Sequence, residues 1–218
     1  GFAKKIRIIP WGTNLELFKK ADSGRLRQKL ALRGSFVIGY VGRLVKEKGI
    51  LTLIEAAFEL KCSYKILIVG NGPLKDIIIN KATLLGIGKR LVFVGTVDQR
   101  ELVEYYNCMN VLVLPSYDTR DWKEQFGRVL IEAMACQVPV IGSDCGEIPK
   151  VIAEAGLVFS QQNPDELKKA LLKLIENPAL GKELGHKGYQ RVMAKYTWQR
   201  YAQETYKLYK ELMNGSMQ

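Results

Sequence analysis

Histidine is almost missing from this 218-residue chain: only His186 is present. One imidazole, set in a polar helical stretch, excludes a Ser-His-Asp triad and a multi-histidine metal site, and His186 reads as an exposed helix residue. The four cysteines, Cys62, Cys108, Cys136 and Cys145, form no C-x-x-C pair, and each lies in or beside a segment that reads as interior. Reduced structural thiols are the expectation. No run approaches the ~20 consecutive apolar residues that span a bilayer, and no charged-then-apolar signal stands at the start. A soluble, cytoplasmic chain is expected. An initiator methionine is also lacking, and "GFAKKIRIIPWG" runs at once into a strand-like "IRIIP", which suggests a fragment without its N-terminal part. No aromatic-basic motif of the RRM type, internal repeat or low-complexity tract is visible, so nucleic acid is not the expected partner.

Positive charge is plentiful, with a net +11. It suits an anionic partner such as a phosphorylated small molecule, and leaves two readings of the surface open: no dedicated partner, or weak attraction to the inner face of an anionic membrane. The chain is 47% hydrophobic, enough for a sizeable core. Short Val- and Ile-rich runs alternate with amphipathic stretches: "IRIIP", "FVIGYVG", "YKILIVG", "RLVFVG", "NVLVLP", "VPVIGS" and a shorter "GLVF". Being apolar on successive residues, they read as strands buried on both faces. The fold class is α/β: a Rossmann-like, doubly wound parallel sheet of about six strands with helices on both faces.

Helices are expected over 48–60, 74–85 and 100–107. In "NPDELKKALLKLIEN", Pro164 suits the first helical position, Asp165 and Glu166 favour the positive helix start, and Leu167, Leu171, Leu174 and Ile175 share a face. After Pro178 the chain reads as wholly helical. Its last segment, 197–218, would pack on this domain or on a missing one.

Ligands of open α/β sheets bind outside the carboxyl ends of the strands. After "FVIGYVG" come Arg43 and Lys48, at the entry to a helix, where a guanidinium fork, a point charge and helix amides can meet one phosphate. The bland alternative is a pair of solvated loop charges. "GNGPLK" lacks the third glycine of a dinucleotide fingerprint and reads as a tight turn.

"EQFGRVLIE" follows the strand-like "NVLVLPS" and its loop. With a helix beginning at Phe126 or Gly127, Glu132 lies up to about 9 Å further along the axis than Glu124. That is too far for a proton-sharing dyad, which needs about 3 Å. The two carboxylates suit two parts of one extended ligand, with helix-start amides between them. Glu132 sits among Val129, Leu130, Ile131, Ala133, Met134 and Ala135; it is either a lone polar position on a solvated stripe or, in a helix apolar almost all round, a buried carboxylate that needs a partner, with a ligand hydroxyl favoured over a structural arginine.

"EQFGRVLIEAMACQVPVIGSDCGEIPKVI" resembles the E-x7-E signature of retaining nucleotide-sugar glycosyltransferases of family four, with the GT-B fold. "IIPWGTNLELF" is similar to that family's linker, "GYVGRLVKEKG" to its phosphate loop, and "FVGTV" and "LVLPSYDTRDWKEQFG" to the segments that follow. The resemblance covers almost the whole chain. It implies that residues 1–218 are the C-terminal half of a two-domain transferase, holding a UDP-, GDP- or ADP-linked sugar without metal or other cofactor. It further implies that Arg43 and Lys48 neutralise the diphosphate and that Val97 meets the base through backbone. Glu124, Gln125, Phe126, Gly127 and Arg128 would hold the sugar and phosphate, and Glu132 the ribose. Arg43, Lys48 and Glu124 would be the catalytic set, transferring a hexosyl group with retention. The acceptor, a sugar or lipid-linked molecule, would be held by the absent N-terminal half, leaving the isolated domain with little or no transfer.

Four positions depart from the pattern: Gln137 stands for a helix-ending glycine, Cys145 for the first of two glycines, Lys150 for a glutamate and Trp11 for an asparagine. The alternatives are an epimerase or phosphorylase of the same architecture, and a non-catalytic nucleotide-binding or scaffolding module.

Overall fold

The computed structural model describes residues 6–214. Six strands form one parallel sheet: β1 Phe36–Val41, β2 Tyr64–Val69, β3 Leu91–Gly95, β4 Val111–Leu114, β5 Val140–Ser143 and β6 Gly156–Phe159. Their order is β3-β2-β1-β4-β5-β6. β1 and β2 pair from Phe36 with Tyr64 to Val41 with Val69, and β1 meets β4 at Ile38 with Val111 and Gly39 with Leu112. The order reverses between β1 and β4, and a doubly wound sheet opens its ligand crevice at that point.

The helices are α1 Gly24–Lys29, α2 Ile50–Phe58, α3 Lys75–Leu84, α4 Gln99–Cys108, α5 Arg128–Ala135, α6 Ile148–Ile152, α7 Pro164–Glu176, α8 Pro178–Lys195 and α9 Trp198–Met213. One core layer gathers buried residues of α2, α3 and α7 against the sheet, and the other gathers those of α4, α5, α6 and α8. The continuous apolar runs follow from this double cover: every residue of β4 and β5 is buried, while the edge strand β3 is only half-buried throughout. In α7, Leu167, Leu171 and Leu174 are buried as their spacing requires, and Asn163 accepts the Glu166 N–H as the cap.

"IRIIP" is not a strand. The sheet ends at β3 and β6, Ile6 and Ile8 are exposed, and Pro10 withholds a ladder donor. The segment instead crosses the start of α9: the Thr13 N–H donates to the Tyr196 carbonyl at 2.8 Å, and Trp11 meets Trp198 edge-on at 6.1 Å. The shorter "GLVF" forms β6 and brings the sheet to six strands. Short α1 and α6 lie where no helix was expected. α9 buries none of its residues, and 1–5 and 215–218, at the ends of the expected linker and tail, lie outside the described residues.

Candidate functional site

Two loops meet at the switch point. The one after β1 carries Arg43 and Lys48 and ends in a short 3-10 turn, Lys46–Lys48; the one after β4 runs from Pro115 to Gly127. They touch at Gly49, where φ is +67° and an added Cβ would lie 1.8 Å from the Pro115 carbonyl oxygen. Tyr40, fully buried, pins the first loop by donating to the Arg43 carbonyl at 2.7 Å. Burial and the nearby carboxylates of Glu124 and Glu47 hold that phenol well above its ordinary pKa, so it remains a donor.

Glu124 is the centre of the second loop. Its Oε2 accepts from Lys48 Nζ at 2.5 Å and from the Ser116 hydroxyl at 3.1 Å. Lys48 also lies 4.8 Å from the centroid of the Trp122 ring. Both ion-pair partners are mostly buried, at 18% and 11% side-chain exposure. Such a pair is costly to break from one side, because the remaining charge stays in a poorly solvated site.

The backbone of Glu124 is fixed by the loop after β5. Its N–H points at Cys145 Sγ at 3.5 Å, and its carbonyl accepts from the Glu147 N–H at 3.0 Å. Cys145 in turn donates to Asp118 Oδ1 at 3.0 Å. Burial, with the Asp118 bond, lifts the thiol to about 12, so it stays protonated and keeps donating. The same bond, with Lys123, holds Asp118 below the usual carboxylate range. Gly146 completes the clasp at φ +53°: a Cβ there would lie 2.1 Å from the Glu124 carbonyl oxygen.

Glu132 is placed differently. It is 5% exposed, accepts from the Tyr106 hydroxyl at 2.8 Å, and lies 3.4 Å from the Arg128 guanidinium. Desolvation raises its pKa, while the Tyr106 and Arg128 bonds oppose the shift. Its carboxylate therefore has structural partners already: Arg128 is the kind of partner its sequence context offered beside a ligand hydroxyl, and Tyr106 is one it did not.

A cleft of about 980 Å³ opens at the switch point, lined on one side by Lys48 and Glu124 to Val129, on the other by Arg7 to Trp11, Tyr196 and Tyr201. The first amides of α5 have no partner within the helix, and no acidic side chain occupies its first turn. Of the residues expected from sequence, Lys48, Glu124, Gln125, Phe126, Gly127 and Arg128 line this cleft. Arg43, Val97 and Glu132 do not: Arg43 is exposed and 4.0 Å from Glu47, and Val97 is half-buried against the core. Sequence reasoning missed Ser116, Trp122, Tyr106 and Cys145; only Ser116 carried a signal, its place at a strand exit. Among the described residues, no group of three or more His, Cys, Asp or Glu is arranged to hold a metal ion.

This arrangement suits an anionic ligand with hydroxyl groups, held at a helix start. The profile of the family described as "Glycosyl transferases group 1" matches residues 22–191, and the chain belongs to that family. Among its relatives is the capsular polysaccharide biosynthesis glycosyltransferase CapM of Staphylococcus aureus, 32% identical across 97% of this chain and 57% of that protein. Sucrose-phosphate synthase from Thermosynechococcus elongatus superposes with a TM-score of 0.85 at 34% identity, covering 96% of this chain and 53% of that one. HepE of Anabaena, solved with UDP and glucose, has a TM-score of 0.86 over 94% of this chain and 56% of its own, but at 22% identity shows the fold alone. The fold is that of one GT-B half, and the chain spans about half the length of the relatives it matches.

Proposed function

We propose that this chain is the sugar-nucleotide-binding half of a retaining hexosyltransferase. One observation carries the reading: the Lys48–Glu124 pair, beside the free amides at the start of α5, sits at the switch point of the sheet. Lys48 Nζ and Arg43 meet the diphosphate, and their positive charge stabilises the nucleoside diphosphate as it departs, without a metal. Glu124 Oε2 is taken by Lys48 and Ser116, so Oε1 is the oxygen that accepts from sugar hydroxyls. Gln125 to Arg128 supply amides to the phosphates, Val97 borders the base, and Glu132 accepts from the ribose once Arg128 turns away. A sugar or lipid-linked acceptor then belongs to the other half of the protein, and the chain alone transfers no sugar. CapM, a capsular polysaccharide glycosyltransferase 32% identical to this chain, is in keeping with transfer of a sugar.

Titration calorimetry with UDP, GDP and ADP in metal-free buffer tests this. One nucleotide binds, Arg43→Ala weakens it about tenfold or more, and Glu132→Ala weakens it too. Binding of a nucleotide that ignores both substitutions would place the contacts elsewhere and favour the scaffolding alternative.

A further inference from the structure

We propose that the amino end of the sheet, opposite the cleft, is a docking face for an anionic lipid surface. In a parallel sheet every strand enters from the same end, so the segments before β1, β2 and β3 lie side by side there. Hydrogen bonds stitch them together. The Phe36 N–H donates to the Ser63 carbonyl at 3.0 Å, Arg27 to the Ser35 carbonyl at 2.8 Å, Arg90 to the Cys62 carbonyl at 3.0 Å and Lys65 to the Lys89 carbonyl at 2.9 Å.

Along this row stand Lys20, Arg25, Lys29, Arg33, Lys61 and Lys89, all exposed. Among the described residues, none of the six forms an ion pair. Between Lys19 and Arg33 the only carboxylate is Asp22, and Glu59, beside Lys61, is already held by Lys168. Unpaired like charges on contiguous segments repel one another, and a surface of opposite charge relieves that repulsion.

Exposed apolar side chains, an aliphatic one above all, favour lipid over nucleic acid. α2 and α3 run from the carboxyl end of the sheet to the amino end, and their last residues, Phe58 and Leu84, are 45% and 88% exposed at the start of the segments that carry Lys61 and Lys89. Cations flanking solvent-facing Phe and Leu match the headgroup and acyl layers of a bilayer interface. A leucine offers a nucleobase nothing to stack on. This inference does not depend on the sugar-nucleotide reading, since no residue of the cleft takes part.

The test is co-sedimentation of the chain with vesicles of phosphatidylglycerol mixed with phosphatidylcholine, against vesicles of phosphatidylcholine alone. Binding is expected only with the anionic lipid, falling at least about tenfold between about 0.05 and 0.3 M salt. Combined Arg25→Glu, Arg33→Glu, Lys61→Glu and Lys89→Glu should abolish it, and the same four positions changed to Gln should weaken it about fivefold per cation. Leu84→Ser should weaken it severalfold, whereas Lys75→Glu with Lys123→Glu, at the opposite end, should leave it unchanged. Far-ultraviolet dichroism identifies any variant that has lost its fold, and the two lipid compositions decide the question on the unaltered chain. Failure to bind anionic vesicles, equal binding to neutral ones, or tighter binding to duplex or single-stranded nucleic acid at the same salt overturns the proposal.

Discussion

The two ends of the sheet differ in how much of their positive charge is paired. At the carboxyl end Arg43, Lys48, Lys123, Arg128 and Lys150, around the cleft, each have a carboxylate within 4.0 Å, while Lys46, Lys75 and Arg120 have none among the described residues. At the amino end, Lys20, Arg25, Lys29, Arg33, Lys61 and Lys89 have none among the described residues. Net charge alone therefore says little about where an anion binds. Paired charges at a switch point are held in register and exchange partners when a ligand arrives, whereas unpaired ones on a surface act through their summed field. The carboxyl end should accordingly be sensitive to sub-ångström changes, and the amino end to charge but not to shape.

The severest break of that contrast is Gly146→Ala. Its Cβ would overlap the Glu124 carbonyl oxygen, a backbone atom, at an unfavourable positive φ, so the loop must move and take Glu124 away from Lys48 and Ser116. We expect nucleotide affinity, read by calorimetry, to fall about a hundredfold, with a stability loss of about 2 kcal/mol. An unchanged affinity would mean that the clasp does not position Glu124.

A smaller effect, of opposite sign in stability, is expected at Glu132. Desolvation raises its folded-state pKa above the unfolded value. The folded state thus prefers the protonated form: the contribution to stability is full below the unfolded glutamate range and is lost as pH rises through the folded pKa. Glu132→Gln, which keeps an acceptor for Tyr106, should raise Tm by about 4 °C at neutral pH. The gain should vanish in acid, and nucleotide affinity should drop. A gain that persists at low pH would assign it to packing instead of charge.

Much of this architecture was legible because its signals are local. The runs that became β1 to β6, the α7 face and the tight turn at Gly70–Leu74 each lie within a dozen residues. Where the reading failed, at "IRIIP", a β-rich run met a proline and found no strand to pair with, and no local pattern announces a missing partner. The family resemblance placed Lys48 and Glu124 in one site, yet their direct bond joins positions 76 apart in the chain. Tyr106 reaches Glu132 across 26 positions, and Cys145 reaches Asp118 across 27. Such contacts exist only once the sheet order brings the strand exits together.

The mildest test lies at the amino end. A glycine is usual where α5 terminates in this family, and Gln137 adopts the left-handed conformation all the same, with φ +58°. The helix closes in full: the Val138 N–H donates to the Ala133 carbonyl and the Gln137 N–H to the Met134 carbonyl, both at 2.9 Å. The closing bonds therefore hold a side-chain-bearing residue in a conformation that costs it about 1 kcal/mol. Gln137→Gly should recover part of that, raising Tm by about 2 °C. Because position 137 precedes β5 at the end away from Glu124, nucleotide affinity should not move, in contrast to Glu132→Gln, where added stability comes with lost binding. A change in affinity at Gln137→Gly would show that the helix carrying Glu132 passes strain between the two ends, and the division between them would have to be redrawn.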